Sequence, residues 1–407
     1  MRTPGVPLIP EVGVLALPYH HFGTRWMTPH HVMTRLATYF HVLWLEPPHH
    51  WREIGTQARR RAAIERLLPS LPGAFGVYVP EPWLFEIHRP AWLQRRQFAA
   101  RLRRAWRELE RRGCDRLVLH LWHYQFAPAL DGGRHDLSLY HIDDEYSFTP
   151  NPPPMDPRER AVIAGVDQVF AISPGLMERK SGINPRLTFA PEGVDYRLYS
   201  TPVPEPADIA PIPHPRIGYT GTLKVQLDWR LLRDLARRHP GWSFVFVGPR
   251  VLNDETRAIA DEMSRLPNVH FPGQKTVRDL AAYPQHFDVC VMPYLVDGYT
   301  NNIYPLKLHE YLASGRPVVG SPIRSLKDFD KVITLAATAD EWSEALVAAL
   351  APSAVAGDAV TARQQVARQY DWSELTYDIA RTICDRLGPD YAARARKLPV
   401  ETPVLAS

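Results

Sequence analysis

Two doubly wound α/β domains, each a mostly parallel sheet with helices on both faces, are predicted by three observations. The 407 residues exceed what one ordinary core organises. Apolar strand-like runs alternate with amphipathic helical stretches through most of the chain. A Pro-rich polar stretch at 200–215 interrupts that alternation, and the pattern then restarts.

The elements follow in order. Before the interruption, strands are expected at 12–17, 41–45, 117–121, 137–142, 168–172 and 187–190. Helices fall between them at about 28–39, 56–68, 91–112, 157–165 and 174–181. After it, strands are expected at 216–220, 243–247, 269–272, 288–293, 317–321 and 332–335, with helices near 228–238, 254–265, 276–283, 305–314 and 340–350. The first domain is thus 1–200 and the second 201–370. A helix at 371–387 follows the complete second domain and is expected to pack back across the hinge. The tail from 388 to 407, rich in proline and in bases such as Arg394, Arg396 and Lys397, reads as disordered.

Hydrophobic content of 45% and charged content of 23% suit a folded globular chain. Three cysteines, Cys114, Cys290 and Cys384, form no CxxC pair and no zinc pattern, which suits a reducing cytoplasm. The apolar run at 8–17 is broken by Pro10, Glu11 and Gly13 and reads as a first strand rather than a leader or a membrane span. Net charge is only +4, yet residues 89–116 hold ten arginines against Glu108, Glu110 and Asp115. Phe98, Leu102, Trp106 and Leu109 recur at helical spacing, so the arginines line an outer face. That face is either simply solvated or a patch for anionic membrane headgroups. No nucleic-acid-binding signature accompanies it, so nucleic acid is not expected as a partner.

The stretch 299–321 carries the most chemistry. Asn301 and Asn302 are N-capping types, Pro305 suits a first helical turn, and Gly315 suits a helix stop before the next strand. A helix therefore begins just beyond a strand's carboxyl end, where open α/β sheets bind ligands. Lys307 and Glu310 share a face. They are either an ordinary i,i+3 salt bridge or a phosphate contact beside an acceptor for a ribose diol. Asp143 and Asp144 also follow a strand; an acceptor-activating carboxylate pair, a helix cap and a divalent-metal site are all open to them. In HLWHYQF at 120–126, His123 lies beyond the strand and His120 within it, which favours His123 as the residue that meets substrate. Trp122, Tyr124, Tyr146 and Phe148 are available to stack on sugar rings or to fill the core.

The segment PLKLHEYLASGRPVVGSP at 305–322 resembles the signature of the group 1 glycosyltransferases of the GT-B fold, which pair two Rossmann-like domains across a cleft. GYTGTL at 218–223, LPNVHFPGQKTVRDLAAYPQHFDVCVMPY at 266–294, APEGVD at 190–195 and AISPGLMERK at 171–180 resemble further parts of that family. YHIDDEYSF at 140–148 looks like a segment of its bacterial cell-surface polysaccharide branch.

The resemblance implies an enzyme that transfers sugar from a nucleotide-sugar donor to a glycan or lipid-linked acceptor, with retention and without metal or other cofactor. It is expected in the cytoplasm, peripheral on the inner membrane face. A nucleotide-sugar epimerase and a non-catalytic scaffold are the alternatives. Donor binding falls to Gly221, Thr222, Lys224, Lys275, Asn302, Lys307 and Glu310; catalysis to Asp143, Asp144 and His123; the acceptor side to Trp26, His30 and His31. Glu310 matches the second Glu of the family's E-x7-E motif, which holds the donor ribose. Its first Glu is replaced by Asn302, an amide that cannot stabilise positive charge.

Overall fold

The computed structural model describes residues 5–23, 26–47, 54–79 and 91–400. The first domain is a seven-stranded sheet of β1 (Val12–Leu17), β2 (His41–Leu45), β3 (Phe75–Tyr78), β4 (Arg116–Leu121), β5 (Leu137–Ile142), β6 (Gln168–Ala171) and β7 (Leu187–Phe189). Every pairing is parallel, in the order β3-β2-β1-β4-β5-β6-β7. Its helices are α1 (Thr28–Leu36), α2 (Ile54–Leu67), α3 (Ala91–Arg111), α4 (Pro128–Asp131), α5 (Pro157–Gly165), α6 (Pro174–Lys180) and α7 (Tyr196–Ser200).

The second domain has six parallel strands, β8 (Arg216–Thr220), β10 (Ser243–Val247), β12 (Val269–His270), β13 (Val289–Met292), β14 (Val318–Gly320) and β15 (Thr334–Leu335). They run β12-β10-β8-β13-β14-β15. A two-stranded ribbon, β9 (Leu223–Lys224) with β11 (Arg250–Val251), lies beside them. The helices are α8 (Trp229–Arg238), α9 (Asp254–Met263), α10 (Val277–Leu280), α11 (Ala282–Gln285), α12 (Lys307–Ala313), α13 (Ala339–Ala349) and α14 (Gly357–Gln369). In both sheets the order reverses beside the first strand, at β1/β4 and at β8/β13, and such switch points open a crevice at the carboxyl ends.

The strands are near-continuous apolar runs because each is covered on both faces. Leu15, Leu17, Leu43 and Leu119 meet α3 through Leu102, Ala105 and Leu109 on one face of the first sheet. Val12, Val14, Ala16 and Val42 meet Val32, Met33 and Leu36 of α1 on the other.

The chain returns to the first domain through α15 (Trp372–Leu387). The two crossings lie side by side: Val194 N donates to Tyr370 O at 2.9 Å and Trp372 N to Val194 O at 3.0 Å. The Tyr196 amide adds a bond to Asp371 at 3.0 Å. Trp372, Ile379, Ala380 and Ile383 of α15 then enter the core around α1.

Several elements depart from expectation. Residues 389–395 form a further helix, α16, rather than a disordered tail. Ala395 is buried against the first domain and Arg394 pairs with Glu11, so burial and charge order a segment that composition alone marks as free. Strand β3 and helix α14 were not predicted. β3 is a four-residue edge strand of mixed composition. The apolar period of α14 is weak because much of its attachment is polar: Arg363 Nε donates to Gly315 O at 3.0 Å and Gln364 Nε2 to Ala313 O at 3.2 Å.

Trp372 is 1% exposed and its ring stacks on His31 with centroids 4.9 Å apart. Trp372→Ala is expected to cost about 3–5 kcal/mol, the usual range for truncating a buried aromatic. A clear fall in the urea midpoint of unfolding checks it; an unchanged midpoint would mean that the returning helix contributes little to the first domain.

Candidate functional site

The site is assembled at facing carboxyl ends. Strand β8 ends at Thr220, and the turn that follows needs a glycine. Gly221 has φ of 112°, and a Cβ there would lie 2.5 Å from Lys307 Cε. Its amide donates to Val247 O at 2.8 Å, which ties the turn to β10. The missing side chain lets Lys307 lie along the turn, its Nζ 5.3 Å from the centroid of the buried Tyr219 ring.

One turn along α12, the Glu310 carboxyl is enclosed. Burial raises its proton affinity, while Lys307 and a hydrogen bond from the Tyr199 hydroxyl pull the other way. Lys224, at the end of β9, is the second cation. Burial and repulsion by Lys307 lower it to about 8, partly opposed by Asp144 from the other domain. Two ammonium groups therefore share one enclosure and repel each other, which favours an anion between them.

The first domain contributes Asp143 and Asp144 just beyond β5. Burial and the neighbouring Asp144 raise Asp143 to about 7, although Tyr146 donates to its Oδ1 at 2.9 Å. Burial likewise raises Asp144 to about 6, with Lys224 the principal opposing influence. Its oxygens accept from Glu145 N at 2.7 Å and from the Tyr299 hydroxyl of the second domain at 3.2 Å. The helix-cap alternative fails, because α5 is capped by Asp156. The loop is braced from behind: Arg179 Nε lies 3.1 Å from Glu145, and the buried Lys180 is 2.8 Å from Glu159.

His123 opens a short turn by accepting from Gln125 N at 3.1 Å. Its ring stacks on Tyr19 at 4.9 Å and meets the edge of Tyr146 at 4.4 Å, which places it one side chain from Asp143. Burial, with His20 and Arg158, lowers it to about 4, so it is neutral at physiological pH. His120 instead lies in the core, packed with Trp122 and His141.

The other sequence candidates have different surroundings. His30 is fully buried against Trp44 at 4.7 Å and Phe22 at 5.5 Å. His31 lies on Trp372 and within 3.2 Å of Arg35, and Trp26 meets the edge of His31 at 5.2 Å. The contacts of these three rings are with one another and with Phe22, Trp44 and Trp372 rather than with the carboxylates. Lys275 pairs with Asp208 in the interdomain segment at 2.7 Å. The Thr222 carbonyl accepts from the Tyr219 hydroxyl at 3.2 Å. The Asn302 amide donates to Gly298 O, and its backbone carbonyl accepts from Ser173, the N-cap of α6, so Asn302 joins the domains.

One residue escaped the sequence reading. Glu192, in the loop after β7, is buried, accepts from Thr28 Oγ1 at 2.5 Å and is raised to about 8, chiefly by burial, with Asp143, Asp144 and Glu310 adding to it. An acid just beyond a strand's carboxyl end was the available signal. Its neighbours, however, come from 28, 143–144 and 310, which no spacing rule connects.

Residues 214–352 match the family described as Glycosyl transferases group 1. Over 141 residues the chain is 33% identical to a putative teichuronic acid biosynthesis glycosyltransferase, TuaH, of Bacillus subtilis (strain 168). That match covers 34% of this chain and spans 35% of the relative's length. The fold is similar to that of sucrose-phosphate synthase from Thermosynechococcus elongatus, with a TM-score of 0.65 and 16% identity over 92% of this chain and 98% of the other. It is also similar to an E. coli trehalose-6-phosphate structure bound with UDP-2-fluoro glucose, at 0.63 and 13%, over 92% and 99%. These neighbours carry the GT-B fold, and this chain shares it.

Lys224 is charged below about pH 8 and neutral above it. The affinity of this enclosure for an anion whose charge does not change over the range, such as sulfate, is therefore expected to fall roughly tenfold between pH 7 and 9.5, the loss of about 1.4 kcal/mol of charge interaction. Titration calorimetry at the two pH values checks this; equal affinities would place the bound anion away from Lys224.

Proposed function

We propose that this chain, whose second domain is a group 1 glycosyl transferase domain in a GT-B fold, moves a sugar from a nucleotide-sugar donor to a glycan or lipid-linked acceptor in cell-surface polysaccharide synthesis. The observation that carries the reading is the meeting of Lys224, Lys307 and Glu310 with Asp143 and Asp144 across the domain boundary.

The roles follow from charge. Lys224 and Lys307 take the diphosphate and stabilise the negative charge that grows on it as the glycosidic bond breaks. Glu310 accepts hydrogen bonds from the ribose hydroxyls. Asp143, raised to about 7, is near the value at which a carboxylate accepts a proton from an acceptor hydroxyl at neutral pH. His123 is neutral and borders the acceptor side through Tyr19 and Tyr146. Neutralisation of the leaving group by lysines supports transfer without metal. Among the described residues no three His, Cys, Asp or Glu side chains are grouped as metal ligands. Retention of anomeric configuration is carried by the family resemblance and is read from the product by NMR.

The acceptor end fits a protein at the surface of the membrane's cytoplasmic face. No helix among the described residues is long and apolar enough to cross a membrane. Helix α3 presents Arg95, Arg96, Arg103 and Arg107 outward, with Trp92 62% exposed near its start. Guanidinium groups beside an exposed indole suit anionic headgroups.

Two tests follow. Glu310→Ala is expected to lower donor turnover by about 100-fold, equivalent to about 2.7 kcal/mol for lost charge-assisted hydrogen bonds, with turnover by the unaltered chain persisting in excess EDTA. Full activity of the variant, or abolition by EDTA, would defeat the respective assignment. Vesicles containing phosphatidylglycerol are expected to sediment the protein at low salt and release it at about 0.5 M salt, where the Debye length is only a few Å. Absence of co-sedimentation at low salt would leave the arginine face merely solvated.

A further inference from the structure

Glu192 has no part in the roles assigned above, yet it lies among the residues that perform them. It is 5% exposed. Thr28 Oγ1 from α1 donates to its Oε1 at 2.5 Å, whereas its Oε2 is buried with no hydrogen-bond partner. The groups that face it are Asp143 and Asp144 from the loop after β5, Glu310 from α12 and Tyr304 from the segment before α12. No Lys, Arg or His among the described residues forms an ion pair with it.

An ionised carboxylate in that setting would be buried, unpaired and repelled by Asp143, Asp144 and Glu310, a state that proteins avoid by retaining the proton. The value of about 8 agrees with this. Because Thr28 donates to Oε1, the proton belongs on Oε2, which leaves an O–H donor buried without an acceptor. Such a group is costly to leave buried unless a ligand satisfies it. The lysines take the diphosphate and Glu310 the ribose, so the sugar extends beyond them toward the first domain's acids. An uncharged, hydroxyl-rich group fits there; an anion, repelled by those acids, does not.

Resting on the glycosyl-transfer reading, we propose that Glu192 is a sugar-binding residue that presents Oε2 as a hydrogen-bond donor to a hydroxyl of the transferred glycosyl unit.

The experiment compares Glu192→Gln, Glu192→Ala and Glu192→Leu. It uses whichever of UDP-glucose, UDP-N-acetylglucosamine, GDP-mannose and dTDP-glucose the unaltered chain turns over, read as nucleoside diphosphate released with water as acceptor. Gln keeps a neutral donor at the same place and is expected to retain kcat/KM within about fivefold. Ala is expected to lose about 50-fold, with affinity for the free nucleoside diphosphate within about threefold of the original. Leu, of similar volume, is expected to lose as much as Ala and serves where Ala fails to fold. A Gln variant as impaired as Ala or Leu would show that a negative charge is required and overturn the proposal, as would an Ala variant that turns over like the original chain. An unaltered chain that binds none of the four nucleotides would overturn the glycosyl-transfer reading itself, an outcome separable from a defect confined to the Glu192 variants.

Discussion

Four acids and two lysines enclosed between two domains form the constraint on which the rest of this molecule depends. Burial disfavours the charges of the four acids and of Lys224, and the acids also repel one another. Asp143, Asp144 and Glu192 all hold protons more tightly in the fold than in the open chain. The folded state therefore binds more protons between the ordinary carboxyl range and about pH 6–8. The sign follows directly: these groups subtract stability as pH rises through that window. The remaining structure must supply the balance through apolar burial, and a phosphate-bearing ligand between the lysines would relieve part of the cost.

That requirement explains how the surrounding structure is built. The carboxyl ends of β5 and β8 must face each other, so each sheet is packed on both sides and joined through two adjacent crossings. Hydrogen bonds between Val194, Tyr370 and Trp372 fasten the crossings to each other. The returning helix then fixes α1, which carries Thr28, the partner of Glu192. Behind Asp143 and Asp144, Arg179 and the buried Lys180 brace Glu145. A buried ion network of this kind adds little net stability but holds a loop in one geometry.

Much of this was legible in the chain itself. The alternation of apolar and amphipathic runs located the principal strands of both sheets, since strands covered on both faces must be apolar throughout. Helix α12 was marked at its end by Gly315, but it starts at Lys307 with Leu306 as an N-cap that makes no side-chain bond, so neither Pro305 nor Asn301 and Asn302 opens it as their types suggested. Where the reading fell short, the reasons were physical. Strand β3 is short and lies at an edge, so little burial is written into it. The tail helix α16 is ordered by Glu11, a partner almost four hundred residues away. His30 and His31 are residue types that suit both catalysis and aromatic packing, and the structure surrounds them with Trp44, Phe22 and Trp372.

The sequence alone determined the fold class and the placement of Lys307 and Glu310 on one face of a helix, because local periodicity and turn chemistry act over a few residues. Only the tertiary structure decided which distant acids Glu310 meets, that Asn302 joins the domains, and that Glu192 belongs with Asp143 and Asp144. Those relations depend on the angle at which two separately folded sheets close on each other. That angle is set by packing across the hinge, which no short-range pattern in the chain encodes.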